Sequence, residues 1–185
     1  RIGFVQKDIN GLVKNEKGNV GDAQIFGKEL LLNFNIDKLL SFSSDVRFNY
    51  FINLSILSSE YVASNINGVE GKELEFVPRF NYKTGIRFGY KNIASNVQYT
   101  FMSDQYTDAT NSINGDLSGV IGRIPKYHIL DCSLFYLINN SINVELGVNN
   151  AMNTHYFTTR ATGYPGPGII PSPLRNYYLT LEYKF

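Results

Sequence analysis

The segment NYYLTLEYKF, residues 176–185, puts Tyr177, Leu179, Leu181, Tyr183 and Phe185 on one side of an extended chain. Tyr178, Thr180, Glu182 and Lys184 take the other. Period-two alternation of this kind marks a strand with two unlike faces, and it recurs along most of the chain. Leu30, Leu32, Phe34 and Ile36 alternate with Glu29, Asn33 and Asn35. Val46, Phe48, Tyr50, Ile52, Leu54 and Ile56 oppose Asp45, Arg47, Asn49, Asn53 and Ser55. Phe80, Tyr82, Ile86, Phe88 and Tyr90 oppose Arg79, Asn81, Lys83, Arg87 and Lys91. Three further stretches gather Ile93, Val97, Tyr99 and Phe101, then Leu130, Cys132, Leu134 and Tyr136, then Ile142, Val144, Leu146 and Val148. With a weakly alternating stretch from Ile2 to about Val13, about eight strands are expected, and no convincing helix. The fold class is all-β and antiparallel.

The connections alternate in length. Short ones follow the second, fourth and sixth stretches (DKLLSFSS, KN and INNS). Long polar ones follow the first, third, fifth and seventh, at residues 10–21, 57–76, 103–125 and 150–173. Loops beyond about 12–15 residues are uncommon in compact domains and are often functional. Long loops on one rim and short turns on the other are the pattern of an outer-membrane barrel, and place both ends of this chain on the short-turn rim.

Alternation alone does not say whether the apolar face meets a second sheet or lipid. Three features favour lipid: an almost unbroken charged or amide polar face, strands longer than the usual 5–6 residues, and aromatics crowded at strand ends. The chain holds 13 Tyr and 13 Phe and no Trp, and Tyr suits a lipid–water boundary. No apolar run approaches the roughly 20 residues of a transmembrane helix. A net charge of +1 gives no electrostatic basis for binding nucleic acid. The single cysteine, Cys132, excludes an intrachain disulfide and a cysteine metal cluster. His128 and His155 lack a metal-pair spacing, Asp104, Asp108 and Asp116 lack an ordered calcium spacing, and no nucleophile motif is present. No metal site, cofactor or enzymatic activity is therefore expected.

A closed barrel pairs its last strand with its first. Phe185 then reads as a lipid-side anchor, and Tyr177, Leu179, Leu181, Tyr183 and Phe185 together resemble the signal read by the outer-membrane assembly machinery. Eight strands could close as a small barrel with a filled interior. Lys83 and Arg87, flanked by Arg79 and Lys91 at the same spacing of four, argue against it. A tight interior would have to pair each of these charges, whereas a wide or plugged lumen of about 22 strands tolerates them.

The segments GNVGDAQIFGKELLL, EFVPRFNYKTGIRFGY, GRIPKYHILDCSLFY and LGVNNAMNTHYFTTRATGYPGPGIIPSPLRNYYLTLEYKF resemble the C-terminal part of TonB-dependent outer-membrane receptors. Among these, the ferric-citrate receptors share GRIP with a following Tyr (Gly122–Pro125, Tyr127) and YPGPGI with a following Pro (Tyr164–Ile169, Pro171). The chain departs from the receptor pattern at Ala151 and Met152, and at Pro173 and Leu174 before Arg175. The resemblance implies that residues 1–185 are the C-terminal part of the barrel domain, with the plug and the N-terminal strands outside this chain. It implies capture of a ferric chelate as transported ligand, and import energised through TonB contact with the plug. It also implies residence in the outer membrane of a Gram-negative bacterium, with lipid around the barrel and the long loops extracellular. Another siderophore, haem or a vitamin remains an alternative cargo, and a stand-alone structural or adhesive barrel an alternative role.

Ferric citrate is anionic, and Arg forks onto carboxylates. Arg123 and Arg160 are the loop cations suited to it, with Asn153, Tyr156 and Tyr164 as neutral donors. Pairing with Asp104, Asp108 or Asp116 is the competing structural role for these arginines. The GYPGPG stretch is expected to be a stiff loop with a substrate-facing edge.

Overall fold

The computed structural model describes residues 2–9, 12–163 and 166–185. Its regular structure is almost entirely strand. A hairpin, β1 (Ile2–Ile9) and β2 (Leu12–Asn19), leads into β3 (Asp22–Asn35). The four-residue helix α1 (Ile36–Leu39) follows, then β4 (Val46–Ala63), β5 (Phe80–Tyr90) and β6 (Ile93–Met102). A pair of two-residue strands, β7 (Gln105–Tyr106) and β8 (Arg123–Ile124), lies in the next loop. Then come β9 (Tyr127–Asn139) and β10 (Ile142–Asn149), the loop hairpin β11 (Phe157–Ala161) and β12 (Gly168–Pro171), and β13 (Asn176–Tyr183).

Seven of these form one sheet in the order β13-β10-β9-β6-β5-β4-β3, each neighbour antiparallel. It is a meander, which short turns permit. Its register fixes the two faces. Phe34, Tyr50, Ile86, Val97, Cys132, Val148 and Tyr177 line up across all seven strands. One residue along, Asn35, Asn49, Arg87, Asn96, Ser133, Gly147 and Tyr178 line up on the opposite face. No described residue covers the apolar face: Leu30, Ile86, Leu134 and Leu146 are exposed, and Leu179 and Leu181 are 67% and 69% exposed. A water-soluble sheet would bury this face against a second layer; left bare, it suits lipid as its solvent.

Aromatic pairs brace the face at both ends. Phe34 stacks on Tyr50 and Phe48 meets Phe88 edge-on toward the short turns, while Phe80 meets Phe101 and Tyr99 stacks on His128 toward the long loops. On the polar face, aromatic rings lie flat over glycines of the neighbouring strand. The Tyr178 ring covers Gly147 so closely that a Cβ there would sit 2.1 Å from a ring carbon, and Phe51 covers Gly85 likewise. Tyr178 reaches past the glycine to donate a 2.7 Å hydrogen bond to Glu145 Oε1. Cross-strand pairs of this kind stabilise a sheet while leaving the polar surface low and open.

The few buried side chains sit elsewhere. Val20, Tyr61, Val69 and Leu74 form a small core beyond the end of the sheet, with Ile66, Val77 and Ala109 packed on it. β4 makes this possible, because its 18 residues run well past the 9–11 that cross a bilayer at a tilt. Tyr61 is fully buried there and donates a 2.6 Å hydrogen bond to the buried Glu75. Replacing Leu74 by Ala removes a buried side chain at a cost of about 2–5 kcal/mol. Trypsin is then expected to cut residues 64–79 faster at Lys72 and Arg79, with the folded barrel unchanged on a gel; an unaltered cutting rate would refute this.

Four expectations are corrected. Ile2–Val13 is not one strand of the main sheet, because β1 and β2 pair as a hairpin of their own. The Asn10–Gly11 dipeptide is a two-residue hairpin signal that a reading by alternation passes over; both residues lie outside the described ones. Ile2 pairs with Asn19, one short step from β3, so the start of the chain lies at the long-loop rim and not the short-turn rim. The loop after β4 begins at residue 64, since β4 outruns its alternation. α1 interrupts the connection from β3 to β4, its Leu40 N–H closing on the Ile36 carbonyl at 2.9 Å.

Candidate functional site

Residues 64–79, 103–126 and 150–175 all leave the sheet at the same rim, and they pack on one another. The first two are joined by Asn111. Its side-chain oxygen accepts from the Glu73 N–H and its amide donates to the Glu73 carbonyl, both at 2.8 Å, and the Phe76 N–H donates to the Tyr106 carbonyl. Loop 103–126 is closed internally by Thr107. Its hydroxyl donates to the Gly122 carbonyl (2.9 Å) or to the Val120 carbonyl, and accepts from the Gly122 N–H (3.0 Å). Asp108 accepts from the Thr110 and Ser112 hydroxyls and backbones, as a residue shaping its own turn does. Asp116 caps the next turn: the Ser118 hydroxyl holds its carboxyl below the ordinary 3.8, with the N–H groups of Ile121, Val120 and Gly119 helping. That contribution is present above pH 3.8 and lost as pH falls through the lowered value, so the turn keeps its cap at neutral pH.

The third loop hangs on Asn150, buried at 3% exposure and held at φ +51°. Its amide donates to the Thr154 carbonyl (2.9 Å) and the Pro173 carbonyl (3.4 Å), and its oxygen accepts from the Thr154 N–H. Its own N–H donates to Asp131 Oδ1 of β9 at 2.8 Å, fixing both ends of the loop to the sheet. Sequence reasoning passed over Asn150; its signal was the NN pair at a strand end, where Asn tolerates a left-handed backbone.

Arg123 and Arg160 are brought together. Arg160 of β11 donates from Nη1 to the Gly119 carbonyl (2.8 Å) and from Nη2 to the Arg123 carbonyl (3.1 Å). Its guanidinium lies 5.2 Å from the Phe157 ring centroid, and its buried Nε has no acceptor among the described residues. Arg123 of β8 points its Nη1 at Asp104 Oδ2, 3.3 Å away, in a pair that is 41% exposed on each side. Tyr156 stacks on Tyr127, ring centroids 4.7 Å apart. Tyr127 falls in the polar row Ser55–Asn81–Met102–Tyr127, so this stack stands on the inner side of the rim. Asn153 holds φ +55°, and its Oδ1 accepts from the Arg175 N–H at 3.1 Å, so it closes the base of the loop. Tyr164 lies outside the described residues. Of the basic residues around β5, Lys83 and Arg87 face the polar side, Arg87 5.3 Å from the Phe51 ring centroid. Arg79 lies just outside the strand, 3.6 Å from Glu73. Among the described residues no group of His, Cys, Asp and Glu is placed to hold a metal ion.

A meandering antiparallel sheet with one face fit for lipid, one polar face and three interlocked loops on one rim defines a segment of a membrane β-barrel wall. The sequence profile of the family described as TonB dependent receptor-like, beta-barrel matches residues 3–151, and the chain belongs to that family.

Solved structures with a similar fold include the ferric citrate transporter FecA in its unliganded form, at 21% identity with a TM-score of 0.78 over 88% of this chain and 24% of that one. The ferric yersiniabactin uptake receptor FyuA from Yersinia pestis gives 19% identity and a TM-score of 0.72 over 92% of this chain and 25% of that one. The siderophore receptor PiuA from Acinetobacter baumannii gives 21% identity and a TM-score of 0.68 over 98% of this chain and 24% of that one. At such identities the likeness concerns the fold. The chain spans about a quarter of the length of these proteins.

Proposed function

We propose that residues 1–185 are the C-terminal part of the barrel domain of an outer-membrane TonB-dependent receptor of a Gram-negative bacterium. The receptor captures an iron chelate, ferric citrate, at its extracellular loops and imports it into the periplasm. The plug and remaining strands come from the rest of the receptor, and TonB acts through the plug. The observation that carries this reading is the seven-stranded meander whose apolar face lies bare while the buried side chains gather at the long-loop rim. Its span of about a quarter of a transporter's length fits the same division. The exposed apolar row Tyr177, Leu179, Leu181, Tyr183 and Phe185 is the surface offered to the assembly machinery in this reading.

Arg123 is the residue best placed to meet an anionic chelate. An ion pair as exposed as Arg123–Asp104 is worth little, so a citrate carboxylate can displace Asp104 and be forked by the guanidinium where it stands. Tyr156, Asn153 and Tyr164 complete the proposed site as neutral donors, and Arg160 acts from behind Arg123. A second reading, an aromatic iron chelate, draws on the Tyr127–Tyr156 stack at the inner rim.

Saturable binding of labelled ferric citrate to membranes carrying the intact receptor tests this. Arg123→Ala is expected to weaken it about tenfold or more, the loss of one charge-assisted contact. Undiminished binding by the variant would remove Arg123 from the site. Stronger competition by a catecholate chelate than by citrate would favour the second reading.

A further inference from the structure

Arg160 does more than stand near Arg123. The two carbonyls it holds, Gly119 and Arg123, lie on either side of the 120–122 turn of loop 103–126, while the side chain itself belongs to loop 150–175. The contact is tight along its length. A Cβ on Gly119 would lie 3.1 Å from the Gly168 Cα of β12, and Ile124 and Ala161 are buried at the seam between β8 and β11. Loop 103–126 is in turn fastened to loop 64–79 by Asn111. Each loop is therefore tied to the next by bonds to backbone, which leave little freedom for independent motion.

We propose that Arg160 is a positioning residue that clasps the second and third long loops into one fixed wall and, through the Arg123 carbonyl, sets the direction of the Arg123 side chain toward the anionic ligand. The positioning half of this rests on the function proposed above; the wall itself does not. Two carbonyls at fixed separation need a planar fork, which a guanidinium supplies and an ammonium does not. Held by the fork, the β8 backbone presents Arg123 in one orientation, and a preorganised cation loses less on binding than a mobile one.

The test uses the intact receptor in a Cys132→Ala background, spin-labelled at Leu117→Cys and Ile170→Cys, two exposed positions outside the clasp. One narrow distance distribution is expected, unchanged by ferric citrate, and Arg160→Ala is expected to broaden it. A distribution that shifts when ferric citrate binds would make these loops a moving lid and overturn the wall, as would one that stays narrow in Arg160→Ala. Binding of ferric citrate supplies the second readout. Arg160→Ala is expected to weaken it about tenfold, Arg160→Lys to restore little, and Arg160→Ala added to Arg123→Ala to cost nothing further. Equal loss in both backgrounds would show that Arg160 does not act through Arg123. Full binding by Arg123→Ala alone would end the anion reading and the positioning role together, while the distance distributions still decide the wall.

Discussion

Val97→Arg is expected to deplete the assembled receptor from the membrane, whereas Gln98→Arg, one residue along, is expected to leave it near normal. Val97 sits mid-strand in the bare apolar row between Ile86 and Cys132. A charge there would face the hydrocarbon near the bilayer midplane, which costs about 2–4 kcal/mol in a transmembrane barrel. Gln98 lies on the other face between Gly85 and Asp131, where an arginine has water and a carboxylate to meet. The difference between adjacent positions follows from the period of two in a strand. Heat-modifiable migration of the extracted barrel measures the folded fraction. Equal folding of the two variants would mean that the bare face is covered by protein after all.

Asn150→Ala is expected to release loop 150–175 from the rim without unfolding the sheet. The substitution removes three hydrogen bonds to backbone groups of Thr154 and Pro173. It also asks alanine to hold φ +51°, which asparagine tolerates better. Together these cost about 3 kcal/mol of loop docking. Protease cleavage within the loop should rise by about two orders of magnitude, since each 1.4 kcal/mol is a tenfold change in the open population. Asn150→Asp keeps the acceptor for the Thr154 N–H and the left-handed preference, so its effect should be smaller. Cleavage no faster in Asn150→Ala than in the parent would show that Asp131 alone carries the anchorage.

The seven strands of the main sheet were legible because two unlike faces enforce alternation on every residue between them. Phe80–Tyr90 and Leu130–Tyr136 could be placed on faces from the sequence for that reason. Beyond the bare apolar face the rule stops. The end of β4 continues as a strand through SSEYVA because β3 pairs with it, yet its faces are set by loop packing, so Tyr61 is buried where alternation promised a loop.

The loops were legible in chemistry and not in partners. Arg123 and Arg160 stand out in the sequence as equivalent cations, and the Arg123–Asp104 pairing was among the alternatives open from sequence. That Arg160 turns to two carbonyls, that Asn111 binds the backbone of Glu73 and that Asn150 reaches the Pro173 carbonyl depends on how the loops meet. Such contacts leave no period in the sequence to read.

The measurement that bears most directly on the whole account is energised uptake. Cells producing the intact receptor are offered labelled iron as citrate, with and without proton-motive force and with and without TonB. The account predicts saturable entry that requires the receptor, TonB and energy together, and that falls with Arg123→Ala. Iron entry that is the same in cells lacking the receptor, or that continues after the proton-motive force is collapsed, would contradict it.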